Sequence, residues 1–325
     1  MYETCLRANR KLAVLRRIRY LKKRSTLDLL YKVCVRSTVE YGLVLYWHSL
    51  KQTEAARIRQ IQYRGARIVT GALPFTSQTK LESDIAWEST DHRVKFLGLT
   101  IFHKIHLGLT RPLIKTCMPS INTINTRGAG CYVVPKIIVE TIKKNSFFPL
   151  FSSSWSKLDK TIRNERDILI FKDKLKLLFK PKRYKHFNYG NKLANTLLCR
   201  LRVGRSFLKS HGFQINLSST DKCWCGEEDK TENFLLSCFL FQEEQKEMLQ
   251  KVQTLLPNFL KQSKKRQCSI LLFGINLDST FPDPRNKILT LIVKKYISKP
   301  TVSSNIMNKY ILFISFFFFL IHHFF

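Results

Sequence analysis

The chain has 325 residues, of which 44% are hydrophobic and 12% aromatic, so its composition is not that of an intrinsically disordered protein. Its 56 Lys and Arg residues exceed its 23 Asp and Glu residues, which gives a formal net charge of +33 at pH 7. Such a surplus repels itself in a compact body unless a polyanion neutralises it. The charge therefore favours RNA or DNA as the partner, with an anionic membrane surface as the alternative.

The nine cysteines are odd in number and cluster only between residues 223 and 238. This distribution fits a reducing, intracellular compartment, nucleus or cytoplasm, better than it fits a disulfide framework. We expect no secretory signal, because no apolar segment follows the basic amino terminus.

Helical spacing of apolar residues organises the first region, residues 1–112. Leu12, Leu15 and Ile18 predict a short helix whose other face carries three arginines, Arg16, Arg17 and Arg19. The residues Ser25–Asp28 are typical of a capping box. A long amphipathic helix is expected after it, with inward-facing residues Leu27, Leu30, Tyr31, Cys34, Thr38, Tyr41 and Leu45. Similar spacing predicts helices from Ile58 to Gly71 and from His92 to Leu109, and together these segments predict a helical bundle with basic outer faces.

Residues 113–154 show little period and contain Pro119, Gly128, Gly130 and Pro135, so we predict an irregular linker there. Helical patterns return at Trp155 and define a second helical region, residues 155–300. Within it, basic and aromatic residues alternate from Lys180 to Tyr189. Lys182, Arg183 and Lys185 can contact phosphates while the rings stack on bases, or the segment is a solvated loop whose aromatic rings pack inward.

A short helix with two different faces is predicted just before the cysteine cluster. Leucines at 197, 198, 201 and 208 form an apolar pattern. Arg200, Arg202 and Arg205 lie between them, so the helix is expected to pack by its leucines and to offer its arginines to nucleic acid.

The cysteine cluster has the spacing C-x-C-x7-N-x4-C, formed by Cys223, Cys225, Asn233 and Cys238. A closed structural zinc site needs four sulfur or nitrogen ligands in a tetrahedron, and an Asn amide is a poor zinc ligand. Three thiolates remain, and His211 is a candidate to complete the set. The alternative is that the three cysteines are simply buried in a small helical hairpin with Phe234, Leu235 and Leu236.

Residues 301–325 form an apolar, Phe-rich tail. The segment from Tyr310 to Ile321 is apolar except for Ser315, and it ends at His322 and His323. Spanning a bilayer takes about 20 apolar residues, so the segment is short for a transmembrane helix. We interpret it as a low-complexity tail, with membrane contact through residues 310–325 as the alternative.

The order of several motifs resembles one known family. The stretch Leu197–Leu208, followed by the cysteine cluster, is similar to the carboxyl-terminal region of reverse transcriptases from non-LTR, LINE-type retrotransposons of the jockey kind. Further similar segments extend the resemblance over residues 10–300: Leu15–Arg19, Tyr41–Gly42 with Trp47, Gln62–Gly71, Trp155–Arg163, Phe171–Lys172 and Ser269–Gly274.

The resemblance implies a mainly α fold: a helical thumb-like bundle, then an irregular linker and a small helical Cys-rich carboxyl-terminal domain. It also implies a zinc element with the pattern C-x(1-3)-C-x(7-8)-H-x4-C. Asn233 stands where that pattern has its histidine, so the fourth ligand is in question.

Polymerases of this family are RNA-directed DNA polymerases that hold two metal ions with paired aspartates of the palm. This chain contains no adjacent pair of aspartates. We therefore expect a truncated, non-enzymatic product that retains basic nucleic-acid-binding surfaces. A membrane-associated interaction protein and a degenerate product without a selected role are the alternatives.

Overall fold

The computed structural model describes residues 1–122, 131–133, 146–179, 189–216, 218–275, 283–299 and 302. These residues are mainly α-helical, which confirms the predicted fold class. They contain no β-sheet, only two isolated antiparallel bridges, Ile121–Tyr132 and Lys222–Glu228. No helix in the described ranges combines the length and apolar character needed to cross a membrane. The phosphate contacts predicted at Lys182, Arg183 and Lys185, and the tail at 310–325, lie outside the described residues.

The helices are numbered in chain order. They are α1 Tyr2–Ile18, α2 Arg24–Leu30, α3 Ser37–Glu40, α4 Leu43–Tyr46, α5 Gln52–Thr70, α6 Gln78–Asp84, α7 Thr90–His106, α8 Pro112–Thr116, α9 Phe147–Ser156, α10 Lys160–Arg163, α11 Ile168–Phe179, α12 Lys192–Val203, α13 Lys209–Gln214, α14 Thr231–Leu236, α15 Gln242–Leu255, α16 Lys264–Phe273 and α17 Arg285–Ile297. A π-helix, Tyr31–Arg36, joins α2 to α3, and short 3-10 turns occupy Trp47–Ser49 and Phe239–Phe241.

The helices form two compact units that interleave along the chain. Unit 1 comprises Met1–Ile18, Leu29–Gly65 and Trp87–Pro181, and unit 2 comprises Arg19–Asp28, Ala66–Ala86 and Lys182–Phe325. The division expected along the sequence was 1–112, 113–154 and 155–300. The units differ from that division because α9 and α11, from the later part of the chain, pack on α7.

The long helix expected from Leu27 to Leu45 ends early. Helical geometry runs from Arg24 to Glu40, and it begins one residue before the predicted capping Ser25. Gly42 then adopts a left-handed conformation with φ 69°, which ends the helix. Tyr41, whose extended backbone caps the helix just before this turn, is 87% exposed, and Leu45, after the turn, is 63% exposed. The prediction that these two residues face inward was wrong.

The centre of unit 1 lies on α7, at the position predicted from helical spacing. Val94, Leu99 and Phe102 of this helix are buried. Its Ser89 cap accepts a hydrogen bond from the backbone N–H of His92, as capping residues do. His103 is fully buried, where its Nε2 bonds to the Glu165 carbonyl and its Nδ1 accepts from the Trp155 indole N–H. Burial lowers the pKa of His103, against the opposing effect of that carbonyl.

Helix α9 occupies Phe147–Ser156, so the irregular linker predicted over 113–154 is wrong for residues 147–154. Phe147, Phe151 and Trp155 recur every four residues, which is helical spacing, although Pro149 and three serines obscure the pattern. The ring of Phe151 is 1% exposed and lies on Gly98 of α7. A β-carbon at Gly98 would overlap this ring. Glycine therefore permits the close approach of α7 and α9.

Unit 2 has one continuous apolar core, drawn from α12, α14, α15, α16 and α17. Phe234 of α14 lies at its centre, with ring contacts to Phe207, Phe241 and Tyr296. The Tyr296 hydroxyl donates to the Phe234 carbonyl over 2.7 Å. Cys223 and Cys238 are members of the same core, so the cysteine cluster is part of the packing of unit 2.

We predict that Gly98→Ala destabilises unit 1 by about 1–3 kcal/mol, because the added methyl group overpacks the contact with Phe151. This cost opposes the intrinsic gain of about 1 kcal/mol for Ala over Gly in a helix. Urea unfolding followed by circular dichroism measures the change. The matched control is Gly98→Ala combined with Phe151→Leu, which should cost less than the sum of the two single changes. Strict additivity would contradict the proposed contact.

Candidate metal centre and basic faces

A tight turn brings Cys223 and Cys225 together. The Cys223 N–H donates to the Glu227 carbonyl over 2.7 Å, and the Gly226 N–H donates to the Cys223 carbonyl over 3.0 Å. Gly226 has a φ of 89°, a left-handed conformation that glycine adopts without strain. The Lys222–Glu228 bridge closes the turn behind the cysteines. Both thiols are thereby directed to the same side, toward the end of α14.

The carboxyl end of α14 supplies the third thiol. The backbone N–H groups of Ser237 and Cys238 both donate to the Asn233 carbonyl, over 2.9 and 2.8 Å, which closes the helix at Cys238. The Sγ atoms of Cys223 and Cys238 are 3.8 Å apart. All three Sγ atoms lie within 4.8 Å of one another, and no histidine or carboxylate of the described ranges joins the group.

The spacing of these sulfurs fits a metal ion. With zinc–sulfur bonds of about 2.3 Å, two thiolates of a tetrahedral site are about 3.8 Å apart. A disulfide needs sulfurs about 2.0 Å apart, and all three cysteines are free thiols. The sequence prediction of a three-cysteine cluster is confirmed as a group that can hold a metal ion.

The thiols of Cys225 and Cys238 have different electrostatic surroundings. Burial raises the pKa of Cys238 to about 12, although the Leu240 backbone N–H opposes this shift. At Cys225 burial also raises the pKa, but hydrogen bonds from Asn233, from the Glu227 backbone and from the two neighbouring thiols outweigh it, so the net pKa is lowered. Cys225 therefore loses its proton more easily than Cys238. Because a bound metal needs thiolates, its binding releases protons.

Asn233 lies against the cluster. Its Nδ2 donates to the Cys225 Sγ over 3.5 Å and to the Glu228 carbonyl over 3.1 Å. Its Oδ1 is buried and has no hydrogen-bond partner in the part of the chain that the structure describes. The side chain thus presents amide N–H groups to the sulfur, which makes it a hydrogen-bond donor to the cluster.

His211 does not complete the ligand set. Its Nδ1 bonds to the Ser206 carbonyl over 3.1 Å, and the imidazole does not belong to the group of close sulfur atoms. His211 is buried, and burial lowers its pKa. The imidazole therefore packs in the core as a neutral side chain.

Two of the three arginines predicted on α12 form ion-pair or hydrogen-bond contacts inside unit 2. Arg202 has a side chain that is 6% exposed; its Nε lies 2.6 Å from Asp84 Oδ1, and its Nη1 donates to the Leu272 carbonyl. Arg200 donates twice to the Gly71 carbonyl, over 3.1 and 2.9 Å. The expectation that these arginines face outward is corrected, because buried acceptors on other segments hold them. Arg205 is half-buried.

The arginines predicted near the amino terminus are more accessible. Arg16 and Arg17 are exposed on α1, while its buried face is formed by Cys5, Ala8, Leu12 and Leu15. Arg19, in unit 2, is half-buried and its guanidinium lies over the Tyr20 ring at 4.4 Å.

The structure adds two basic residues that the sequence reasoning did not single out, Arg57 and Arg64 of α5. Both are exposed, and they lie seven residues apart, on one face of the helix. The Arg64 Nη1 donates to Asn9 Oδ1 of α1 over 3.4 Å. Arg16 lies two turns after Asn9, on the same face of α1, so Arg16, Arg57 and Arg64 are exposed on the two helices that this hydrogen bond connects. We call this set the α1–α5 basic face; the i, i+7 spacing was the signal available in the sequence.

The segment that carries Cys223 and Cys225 is acidic, in contrast to the chain as a whole. Residues 221–232 contain five acidic side chains (Asp221, Glu227, Glu228, Asp229 and Glu232) and two lysines (Lys222 and Lys230). A phosphate backbone would be repelled by this segment. The cysteine cluster is therefore suited to binding a cation, while the α1–α5 basic face is suited to binding an anion.

Comparison with protein-family models, with curated proteins and with solved structures found no match. The functional interpretation therefore depends on the residues of this chain.

We predict that Arg202→Gln lowers the free energy of unfolding by about 3–5 kcal/mol, because it removes the cation beside the buried Asp84. Chemical denaturation measures this loss. Arg205→Gln on the same segment is the control and should change stability by no more than about 0.5 kcal/mol. Equal stability of the two variants would show that the Arg202–Asp84 pair does not hold unit 2.

Proposed function

We propose that the chain is a nucleic-acid-binding fragment of a non-LTR retrotransposon reverse transcriptase, without polymerase activity. The protein binds RNA or DNA through contacts to phosphate groups, which have little sequence preference. The observation that carries the binding function is the α1–α5 basic face, where arginines are exposed on two helices that the Arg64–Asn9 hydrogen bond connects.

The charge of the two helices supports this role. Helix α1 has five basic residues and one acidic residue, and the part of α5 in unit 1 has three basic residues and one acidic residue. One of those three, Arg59, pairs with Asp91 at 3.1 Å and so contributes less to the surface charge. Arg57 and Arg64 remain exposed beside α1. Guanidinium groups bind phosphate oxygens in a bidentate manner, which suits arginine to such a surface.

Zinc is the metal in this proposal. Cys223, Cys225 and Cys238 supply three thiolates, and thiolate sulfur is a preferred zinc ligand. The ion has a structural role, because two of its ligands are buried in the core of unit 2. The ion connects the turn that carries Cys223 and Cys225 to Cys238 at the end of α14.

The absence of an aspartate pair from the sequence supports the non-enzymatic part of the proposal. Two-metal polymerisation requires carboxylates that hold both ions at the attacking and leaving oxygens. The order of the motifs along residues 10–300 supports the proposed family. Binding to nucleic acid does not depend on this lineage, and it can be tested by itself.

The test compares binding of a single-stranded RNA and of a DNA duplex, both of mixed sequence, over a range of salt concentrations. We expect the affinity for both to fall steeply with salt. The triple variant Arg16→Gln, Arg57→Gln, Arg64→Gln should reduce the slope of log K against log salt by about 2 to 3, since each lost phosphate contact contributes about 0.7–0.9.

The matched control is Lys176→Gln, Lys251→Gln, Lys299→Gln. It removes the same formal charge, but each lysine already pairs with a carboxylate, Asp173 for Lys176 and Glu247 for the other two. The control should leave the slope close to that of the unchanged protein. If both triple variants reduce it equally, binding depends on net charge alone and the α1–α5 basic face is not the interface.

A further inference from the structure

Among the residues that the structure describes, the cysteine cluster has three ligands, whereas a zinc ion takes four. The three Sγ atoms form a group without a further cysteine, histidine or carboxylate from the described ranges. His211, the candidate named from sequence, is held at the Ser206 carbonyl. Zinc sites with three protein ligands leave the fourth position to a molecule from outside the protein, whereas closed structural sites use four protein ligands.

Asn233 lies against the cluster but does not supply the fourth ligand. Its Nδ2 is held between the Cys225 Sγ and the Glu228 carbonyl. An amide N–H has no lone pair to give to a metal. If the amide were turned to bring Oδ1 to the sulfurs, two oxygens would meet at Glu228. The amide therefore acts as a hydrogen-bond donor that orients Cys225, as groups around metal ligands commonly do.

The cluster is open on one side. Cys238 is 1% exposed and Cys223 is also buried, but Cys225 is half-buried. Trp224, between the two cysteines of the turn, is 61% exposed. A small molecule can therefore approach from the side of Cys225, while the other two thiols are enclosed by the core.

Charge selects the kind of ligand. Zinc with three thiolates carries a net charge of −1, and Glu227, Glu228 and Asp229 lie in the same turn. A fourth thiolate would raise the negative charge of this acidic segment, and electrostatic repulsion would oppose it. A neutral imidazole adds no charge, and its nitrogen is a preferred zinc ligand.

We propose that Cys223, Cys225 and Cys238 form a zinc site with one exchangeable position, which binds the imidazole nitrogen of a molecule from outside the protein. The inference rests on the zinc ion of the proposed function and names the fourth ligand of that site. Asn233 gives the position its exchangeable character, because a histidine there would close the site from within the protein.

The experiment measures zinc affinity of the full chain by competition with a chromophoric chelator, with and without free imidazole. The chelator is calibrated at each imidazole concentration. In the unchanged protein, imidazole should raise zinc affinity about tenfold or more, and Asn233→His should raise it by about 10- to 100-fold without imidazole. In Asn233→His, imidazole should have no further effect, because the fourth position is filled.

Cobalt substitution in the unchanged protein provides a second readout, which does not depend on the folding of the variant. Imidazole should shift the visible cobalt spectrum, since it replaces a weaker ligand at the metal. Cys225→Ser is the control and should lose the response, because a sulfur ligand is missing.

An unshifted cobalt spectrum together with an unchanged zinc affinity would overturn the exchangeable position, as would an equal imidazole effect in Asn233→His. If neither protein binds zinc, the metal part of the proposed function fails as well, and nucleic-acid binding is still tested separately by its salt slope.

Discussion

The packing of two cysteine thiols into the core of unit 2 is the constraint on which the carboxyl-terminal part of the protein depends. The turn at 221–230 and the six-residue helix α14 are too small to bury a core of their own. They are held because Cys223 and Cys238, together with Phe234 and Leu235 of α14, are buried in the apolar core of unit 2. A metal ion bound there would connect the turn to α14 at the point where both meet this core. Binding and folding would then be linked, as in other small metal-binding domains.

Acidic and basic residues are unevenly distributed along the chain. The formal charge of +33 describes the chain, but the segment 221–232 is acidic. Arg200 and Arg202 of α12 bind acceptors inside unit 2. Exposed arginines remain on α1 and α5, which the Arg64–Asn9 hydrogen bond connects. The local arrangement of charge thus separates an acidic turn, which carries Cys223 and Cys225, from a basic face on α1 and α5, a distinction that the net charge conceals.

The local patterns in the sequence predicted the features that depend on neighbouring residues. Helices α1, α5 and α7 were predicted because their apolar residues recur at helical spacing. The clustering of the three thiols was predicted because only a turn and a short helix separate the cysteines along the chain. Contacts between distant segments were not predictable in this way. The Arg202–Asp84 pair joins α12 to α6, and the approach of Phe151 to Gly98 depends on the absence of one side chain. The exposure of Tyr41 and Leu45 was also missed, because the left-handed Gly42 ends the helical period between them.

The measurement that tests the metal centre most directly is hydrogen exchange of the reduced, zinc-loaded protein before and after removal of the ion by a chelator. Removal of zinc should abolish protection from Cys223 to Cys238 and weaken it in α12 and α15, which share the core with the cysteines. The helices of unit 1 should keep their protection and serve as the internal reference. Unchanged protection in the turn and α14 after the zinc has been removed would contradict a metal ion as the link between the cysteine cluster and the core.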